Sequence, residues 1–123
     1  MELDNVYNKF FEERINGKEL NTVQKLKAAH DFVIETAEYV SRDNGNDYPH
    51  NQDIVGALIN RKCVCNGFAS AFKYLCDRLG DLEVIMVSGE TTEPHAWNMA
   101  KVDGEFYHID VTWDDDKKNG RMV

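Results

Sequence analysis

The chain is 123 residues long, 42% hydrophobic and 29% charged, with a formal net charge of -8. That length gives one sizeable core, and the composition is ordinary for a globular protein rather than a disordered or fibrous one. The acidic balance argues against nucleic acid as a partner, because phosphate binding needs clustered Lys and Arg, and it gives no support for docking on an anionic membrane. No apolar run approaches the roughly 20 residues of a membrane span, and the polar, acidic start at Met1 carries no signal-peptide pattern. At face value the chain reads as cytoplasmic. The other reading is a domain of a longer secreted or cell-surface protein with neighbouring domains as partners, which the abrupt stop after Trp113-Asp114-Asp115-Asp116 would fit.

In chain order, Asp4 to Ile15 reads as a helix with Val6, Phe10, Phe11 and Ile15 on its apolar face, ended by Asn16-Gly17. A second helix starts at Thr22 as N-cap and runs to about Ser41. Val23, Leu26, His30, Val33, Ala37 and Val40 then form its buried stripe at spacings of three and four. His30 on that stripe, beside Asp31, is expected to be a packed core histidine. Asp43 to Asp47 is a loop by composition. Ile54 to Asn60 is expected to form a short helix leading to Cys63 and Cys65.

From Cys65 a third helix is expected, because Cys65, Ala69, Phe72, Cys76 and Leu79 recur at helical spacing on one inward face. Cys76 is then a small buried hydrophobe. Cys65 differs because it opens the helix, where the dipole and the unsatisfied backbone N–H groups favour a thiolate. Three cysteines make a disulfide framework a poor account of all of them. Zinc, with His95 and His108 as further ligands, lacks the usual paired C-x-x-C or H-x-x-x-H spacing. No cofactor or metal is therefore assigned. Asp114-Asp115-Asp116 reads as a solvated acidic loop, since it has no EF-hand pattern.

Leu82 to Val87, His95 to Val102 and Glu105 to Trp113 read as strands. Asp103-Gly104 between the last two is a strong signal for a two-residue type I′ hairpin turn. If Val102 pairs with Glu105, Trp97 faces Asp110, and His95 becomes its diagonal neighbour on the same face. That face would also hold Met99, Phe106, His108 and Thr112, and it is expected to pack against the helix that Cys65 begins. His108 is a candidate supporting residue two positions from Asp110, Trp97 is expected to pack beside the site, and Trp113 should lie on the opposite face. A thiol nucleophile needs a base, and the base needs a carboxylate to orient it, which Cys65, His95 and Asp110 would supply. A buried His–Asp pair that only satisfies polar groups, with an unrelated thiol nearby, is the other reading that spacing alone allows.

Three segments together resemble the transglutaminase-like superfamily in its bacterial, protease-like branch. Cys65-Asn-Gly-Phe-Ala69 looks like the C-x-G-[YF]-A nucleophile segment, and His95-Ala-Trp-Asn98 is similar to the histidine motif. Tyr107-His-Ile-Asp-Val-Thr-Trp-Asp-Asp115 is similar to the aspartate motif. The resemblance covers residues 22–115 as a core within a single domain 1–123, with residues 1–21 as an N-terminal helical extension. It implies an α+β, papain-like fold in which N-terminal helices and a nucleophile helix pack on an antiparallel sheet. It also implies Cys65 as nucleophile, His95 as general base and then acid, and Asp110 as orienter. Cys63, two residues before the nucleophile, departs from the family pattern and opens oxidation or exchange with Cys65. The chain also ends soon after the aspartate motif.

The implied activity is thiol-dependent hydrolysis of an amide or peptide, with a protein or peptide substrate and a thioester intermediate. Transfer of the acyl group to an amine, as in protein crosslinking, would use the same residues. A non-enzymatic binding or scaffold domain that keeps the triad but has a closed or incomplete site is the third reading. The Cys65 backbone N–H is expected to hold the oxyanion together with a second donor, for which Asn60, Tyr48 and Trp97 are candidates.

Overall fold

The computed structural model describes residues 2–40, 50, 52–90 and 94–111. Helix α1 spans Glu2–Arg14 and helix α2 spans Thr22–Thr36. Two-residue strands β1 (Glu38–Tyr39) and β2 (Lys62–Cys63) pair in parallel, and a π-helical turn at Gly56–Asn60 precedes β2. Helix α3 (Cys65–Leu79) is followed by an antiparallel sheet of β3 (Val84–Glu90), β4 (Pro94–Val102) and β5 (Glu105–Ile109), in that order. The architecture is α+β.

The expected start of α2 is off by one residue. Asn21, not Thr22, is the N-cap: its Oδ1 accepts from Gln24 N at 2.8 Å while Gln24 Oε1 accepts from Asn21 N at 2.9 Å. This reciprocal capping box satisfies backbone donors that the first turn leaves over. Val23, expected on the buried stripe, is 56% exposed, and the buried positions of α2 are Leu26, Ala29, Phe32 and Val33. His30 is only partly buried, with its Nδ1 2.9 Å from Asp31 Oδ1.

Helix α2 also stops five residues before Ser41. Ala37 turns extended (φ -104°, ψ 144°), and Glu38 N and Val40 N donate to Arg61 O and Cys63 O at 2.8 and 3.0 Å. Ala37 and Val40 are buried as the stripe required, but on either side of the short parallel strand β1. A three-residue apolar spacing cannot separate a last helical turn from a chain leaving into a sheet.

One core joins these pieces. Phe10 of α1 meets Phe32 of α2 edge to face at 5.2 Å, and Phe68, Ala71, Phe72, Leu75 and Cys76 of α3 fill the centre. Tyr39 of β1 stacks near Phe68 at 6.5 Å, which brings the short parallel pair onto α3. A salt bridge from Lys25 to Asp81 ties the start of α2 to the link after α3. Among the described residues no helix is long and apolar enough to cross a membrane.

The hairpin forms as its sequence requires. Asp103 and Gly104 take φ values of 53° and 86°, the positive pair that a type I′ turn needs. The ladder runs Val102↔Glu105, Lys101↔Phe106, Ala100↔Tyr107, Met99↔His108 and Asn98↔Ile109, with no bulge. Asp110 lies one step past the last pair.

The packing of the two sheet faces reverses the expectation. Helix α3 covers the face of Val84, Ala96, Asn98 and Ala100, all buried, and not the face that carries His95, Trp97 and Met99. Small side chains at Ala96 and Ala100 let the helix approach closely, whereas His95 and Trp97 would hold it off. His108 and Phe106, on the second face, are exposed. Trp113, the acidic run Asp114-Asp115-Asp116 and the Asp43–Asp47 segment lie outside the described residues.

Candidate active site

Cys65 is the first residue of α3, after Val64 as an extended N-cap (φ -104°, ψ -172°). Its backbone N–H belongs to the first turn, whose donors a helix does not satisfy internally. Gly67 N and Phe68 N both donate to Val64 O, at 2.9 and 3.2 Å, which winds the helix directly from the residue before the thiol. The Cys65 side chain is inward, as the stripe predicts, and the residue is 4% exposed.

Two contacts align α3 with the sheet. Asn98 Nδ2 donates to Ala69 O at 3.2 Å, and Ser70 Oγ lies 3.7 Å from Met86 Sδ. Met86 and Asn98 are paired across β3 and β4. The four residues between Leu79 and Val84 return the chain, so α3 and β3 run in opposite directions. The start of α3 therefore points to the end of the sheet where β3 finishes and β4 begins. His95 stands at that end, opposite Gly89.

His95 and Asp110 meet as the hairpin arithmetic requires: Nε2 of His95 lies 2.6 Å from Oδ2 of Asp110. This short separation fits a charge-assisted bond. Both side chains are accessible, at 28% and 27%. With Nε2 engaged by the carboxylate, Nδ1 is the ring nitrogen left for proton transfer with a thiol. The start of α3 and the His95–Asp110 pair thus lie toward the same end of the sheet, with α3 on the face of Ala96 and Asn98 and His95 on the other.

The sequence offered Asn60, Tyr48 and Trp97 as candidates for a second oxyanion donor. Trp97 Nε1 donates to His108 Nδ1 at 2.9 Å, so the indole N–H is already committed. Asn60 is an exposed residue of the π-helical turn, and Tyr48 lies outside the described residues. Sequence reading gave Asn98 only as the last residue of the histidine motif, whereas it is a fully buried amide that also donates to Ile85 O at 3.3 Å. It missed Gln52, whose Oε1 accepts from Asn66 Nδ2 at 3.3 Å beside the start of α3. Neither residue lies in an apolar pattern, and only the tertiary pairing brings them to α3.

None of the three cysteines forms a disulfide. Cys63 is fully buried on β2. Burial pushes the Cys76 thiol up to about 12, with Asp77 adding to the shift. Among the described residues no three His, Cys, Asp or Glu side chains converge as metal ligands would. Two grooves on the surface lie away from Cys65: one is bounded by Arg14, Phe32, Leu58 and Arg61, the other by Val23, Leu26, Val102 and Tyr107.

The fold is similar to that of proteins of known structure. The chain resembles a crystal structure of a TGase at a TM-score of 0.72 and 23% identity, covering 89% of this chain and 31% of that one. It resembles a candidate cysteine protease from Cytophaga hutchinsonii at a TM-score of 0.68 and 23% identity, covering 89% and 37%. The chain therefore spans about a third of the length of each, and at this identity the likeness is one of fold. No curated protein matches the chain. The model of the Transglutaminase-like superfamily matches residues 9–111, a span that contains α3, the histidine strand and Asp110, and the chain belongs to that superfamily.

Proposed function

We propose that the protein is a thiol-dependent amide hydrolase in which Cys65 is the nucleophile, His95 the general base and acid, and Asp110 the residue that orients His95. The observation that carries this reading is the 2.6 Å contact between His95 Nε2 and Asp110 Oδ2 at the end of the sheet where α3 starts. Membership of the superfamily and the fold shared with a candidate cysteine protease support it.

In this mechanism His95 Nδ1 takes the proton of the Cys65 thiol, and the thiolate attacks the carbonyl carbon of a peptide or side-chain amide. The C–S bond forms as the carbonyl π pair moves to oxygen, where the Cys65 backbone N–H stabilises the oxyanion. Collapse breaks the C–N bond, and imidazolium His95 gives its proton to the departing amine. Water then adds to the thioester with His95 as base, and the acid leaves as the thiol is regenerated. Asp110 stabilises the imidazolium throughout without itself being protonated. Cys65 is largely covered while His95 and Asp110 are open. The substrate accordingly approaches over the imidazole.

The test is incubation of the protein and its Cys65→Ala variant with a peptide library, with and without a primary amine, read by mass spectrometry. Cleaved or deamidated products that need Cys65 and form without the amine support hydrolysis. Products that carry the amine and dominate when it is present assign acyl transfer instead. No change in any peptide contradicts the enzymatic reading.

A further inference from the structure

The open face of the sheet carries an arrangement that the triad does not use. The Trp97 side chain is held from three sides. On β3, Gly89 lies beneath its six-membered ring: a Cβ there would stand 2.8 Å from Trp97 Cη2, and 3.1 Å from Cζ3. On β5, His108 Nδ1 accepts the indole N–H at 2.9 Å. Along β4, the ring stacks against His95, with centroids 5.7 Å apart and planes 22° from parallel.

The register explains why these groups meet. His108 pairs with Met99, which makes it the diagonal neighbour of Trp97, while Gly89 pairs with His95 and is the diagonal neighbour of Trp97 on the other side. An indole nitrogen can only donate, so His108 Nδ1 must be the acceptor and its ring is neutral, with the proton on Nε2. His108 is exposed, so burial does not account for its contact with Trp97. Trp97 in turn is a wall against the imidazole whose other edge meets Asp110.

We propose that His108 is a positioning residue for His95, acting through Trp97, and that Gly89 clears the space this wall occupies. The neutral His108 ring fixes the rotation of the indole. The indole then limits the His95 ring to the orientation in which Nε2 faces Asp110 and Nδ1 remains for the thiol. The catalytic consequence rests on the hydrolase reading above, but the positioning does not.

The test uses the whole chain and compares His108→Leu with His108→Asn, whose Oδ1 can accept close to where Nδ1 stands. Two readouts are NMR signals: the indole N–H of Trp97, assigned with Trp97→Phe, and the ring ¹⁵N shifts of His95. The third is the rate at which iodoacetamide labels Cys65. His108→Leu should move both signals and slow labelling by roughly three- to tenfold, the weight of one neutral hydrogen bond. His108→Asn should restore all three towards the native values.

Unmoved Trp97 and His95 signals in His108→Leu would overturn the proposal, as would His108→Asn behaving like His108→Leu. If both signals move but labelling is no faster in the native protein than in His95→Ala, the positioning stands and the hydrolase reading fails. Gly89→Ala pushes on Trp97 from the opposite side and leaves His108 intact, so it decides the matter should His108→Leu fold poorly. It should shift the His95 signals, and unchanged signals there count against the proposal.

Discussion

His95 Nε2 and Asp110 Oδ2 lie 2.6 Å apart, although the two residues are separated by a full hairpin and 15 positions in the chain. The two-residue turn at Asp103-Gly104 is what brings them together. A single inserted residue in either strand would turn one of them to the other face. Inserting one alanine after Asn98 should therefore abolish the contact while leaving α1 and α2 folded. The check is the His95 ring ¹⁵N spectrum, which should lose its dependence on Asp110→Asn.

Asn98 joins α3 to the sheet. Its Nδ2 donates to Ala69 O and Ile85 O, and its Oδ1 is buried without a hydrogen-bond partner among the described residues. Asn98→Ala loses two donations but also removes that unpaired oxygen, so it should cost only about 1 kcal/mol. Asn98→Asp would aim a buried carboxylate at two carbonyls and should cost about 3 kcal/mol at neutral pH. Urea unfolding of the two variants checks the order.

Gly56 illustrates a different constraint. A Cβ at this position would lie 1.9 Å from His50 O, a backbone atom that cannot move aside cheaply. Gly56→Ala should destabilise the protein by about 3 kcal/mol, the upper part of the overpacking range. Chemical denaturation measures it, and a loss under 1 kcal/mol would show that the turn relaxes.

Asp53 braces the same turn. Its Oδ1 accepts from Val55 N and Gly56 N at 2.9 and 3.1 Å, and its Oδ2 lies 2.9 Å from His50 Nδ1. Burial would raise this carboxyl, but the bonds from His50, Gly56 and Val55 outweigh it and hold it below its ordinary value. A depressed carboxyl contributes stability above the unfolded value of about 3.9, and that contribution is lost as pH falls through the folded value. Asp53→Ala should cost about 1 kcal/mol at pH 7, as loss of a cap does. Its deficit relative to the native protein should shrink below about pH 4.

Cys76 should behave in the opposite sense at high pH. Its thiol is raised to about 12, so the unfolded chain gives up this proton first. The fold therefore loses stability as pH climbs from about 8.5, the unfolded thiol value, towards the folded one. Cys76→Ala should flatten that alkaline loss, and labelling of Cys76 in the native protein should await denaturant.

Much of this was legible in the sequence because it depended on local chemistry. The inward stripe of α3, its start at Cys65, the type I′ turn and the β4–β5 register all follow from short-range patterns. The three motif segments made the family legible too. The end of α2 was not legible, because Glu38 and Tyr39 leave the helix to pair in parallel with Lys62 and Cys63, a pairing that no local signal announces. The covered face of the sheet was misread for a related reason. Alternation assigns His95 and Asn98 to opposite faces, but a buried asparagine between two small alanines had to be weighed against an aromatic face with a histidine. The bond from Trp97 to His108 followed from the register and was within reach.

The central claim is that His95 activates Cys65, and the most direct measurement is the rate of iodoacetamide labelling at each cysteine, followed by peptide mapping, in the native protein and in His95→Ala. Cys65 should be labelled well ahead of Cys63 and Cys76, and His95→Ala should slow it by about a hundredfold, the lower end of general-base effects. Equal labelling of the three thiols, or a Cys65 rate that His95→Ala leaves unchanged, would contradict the account.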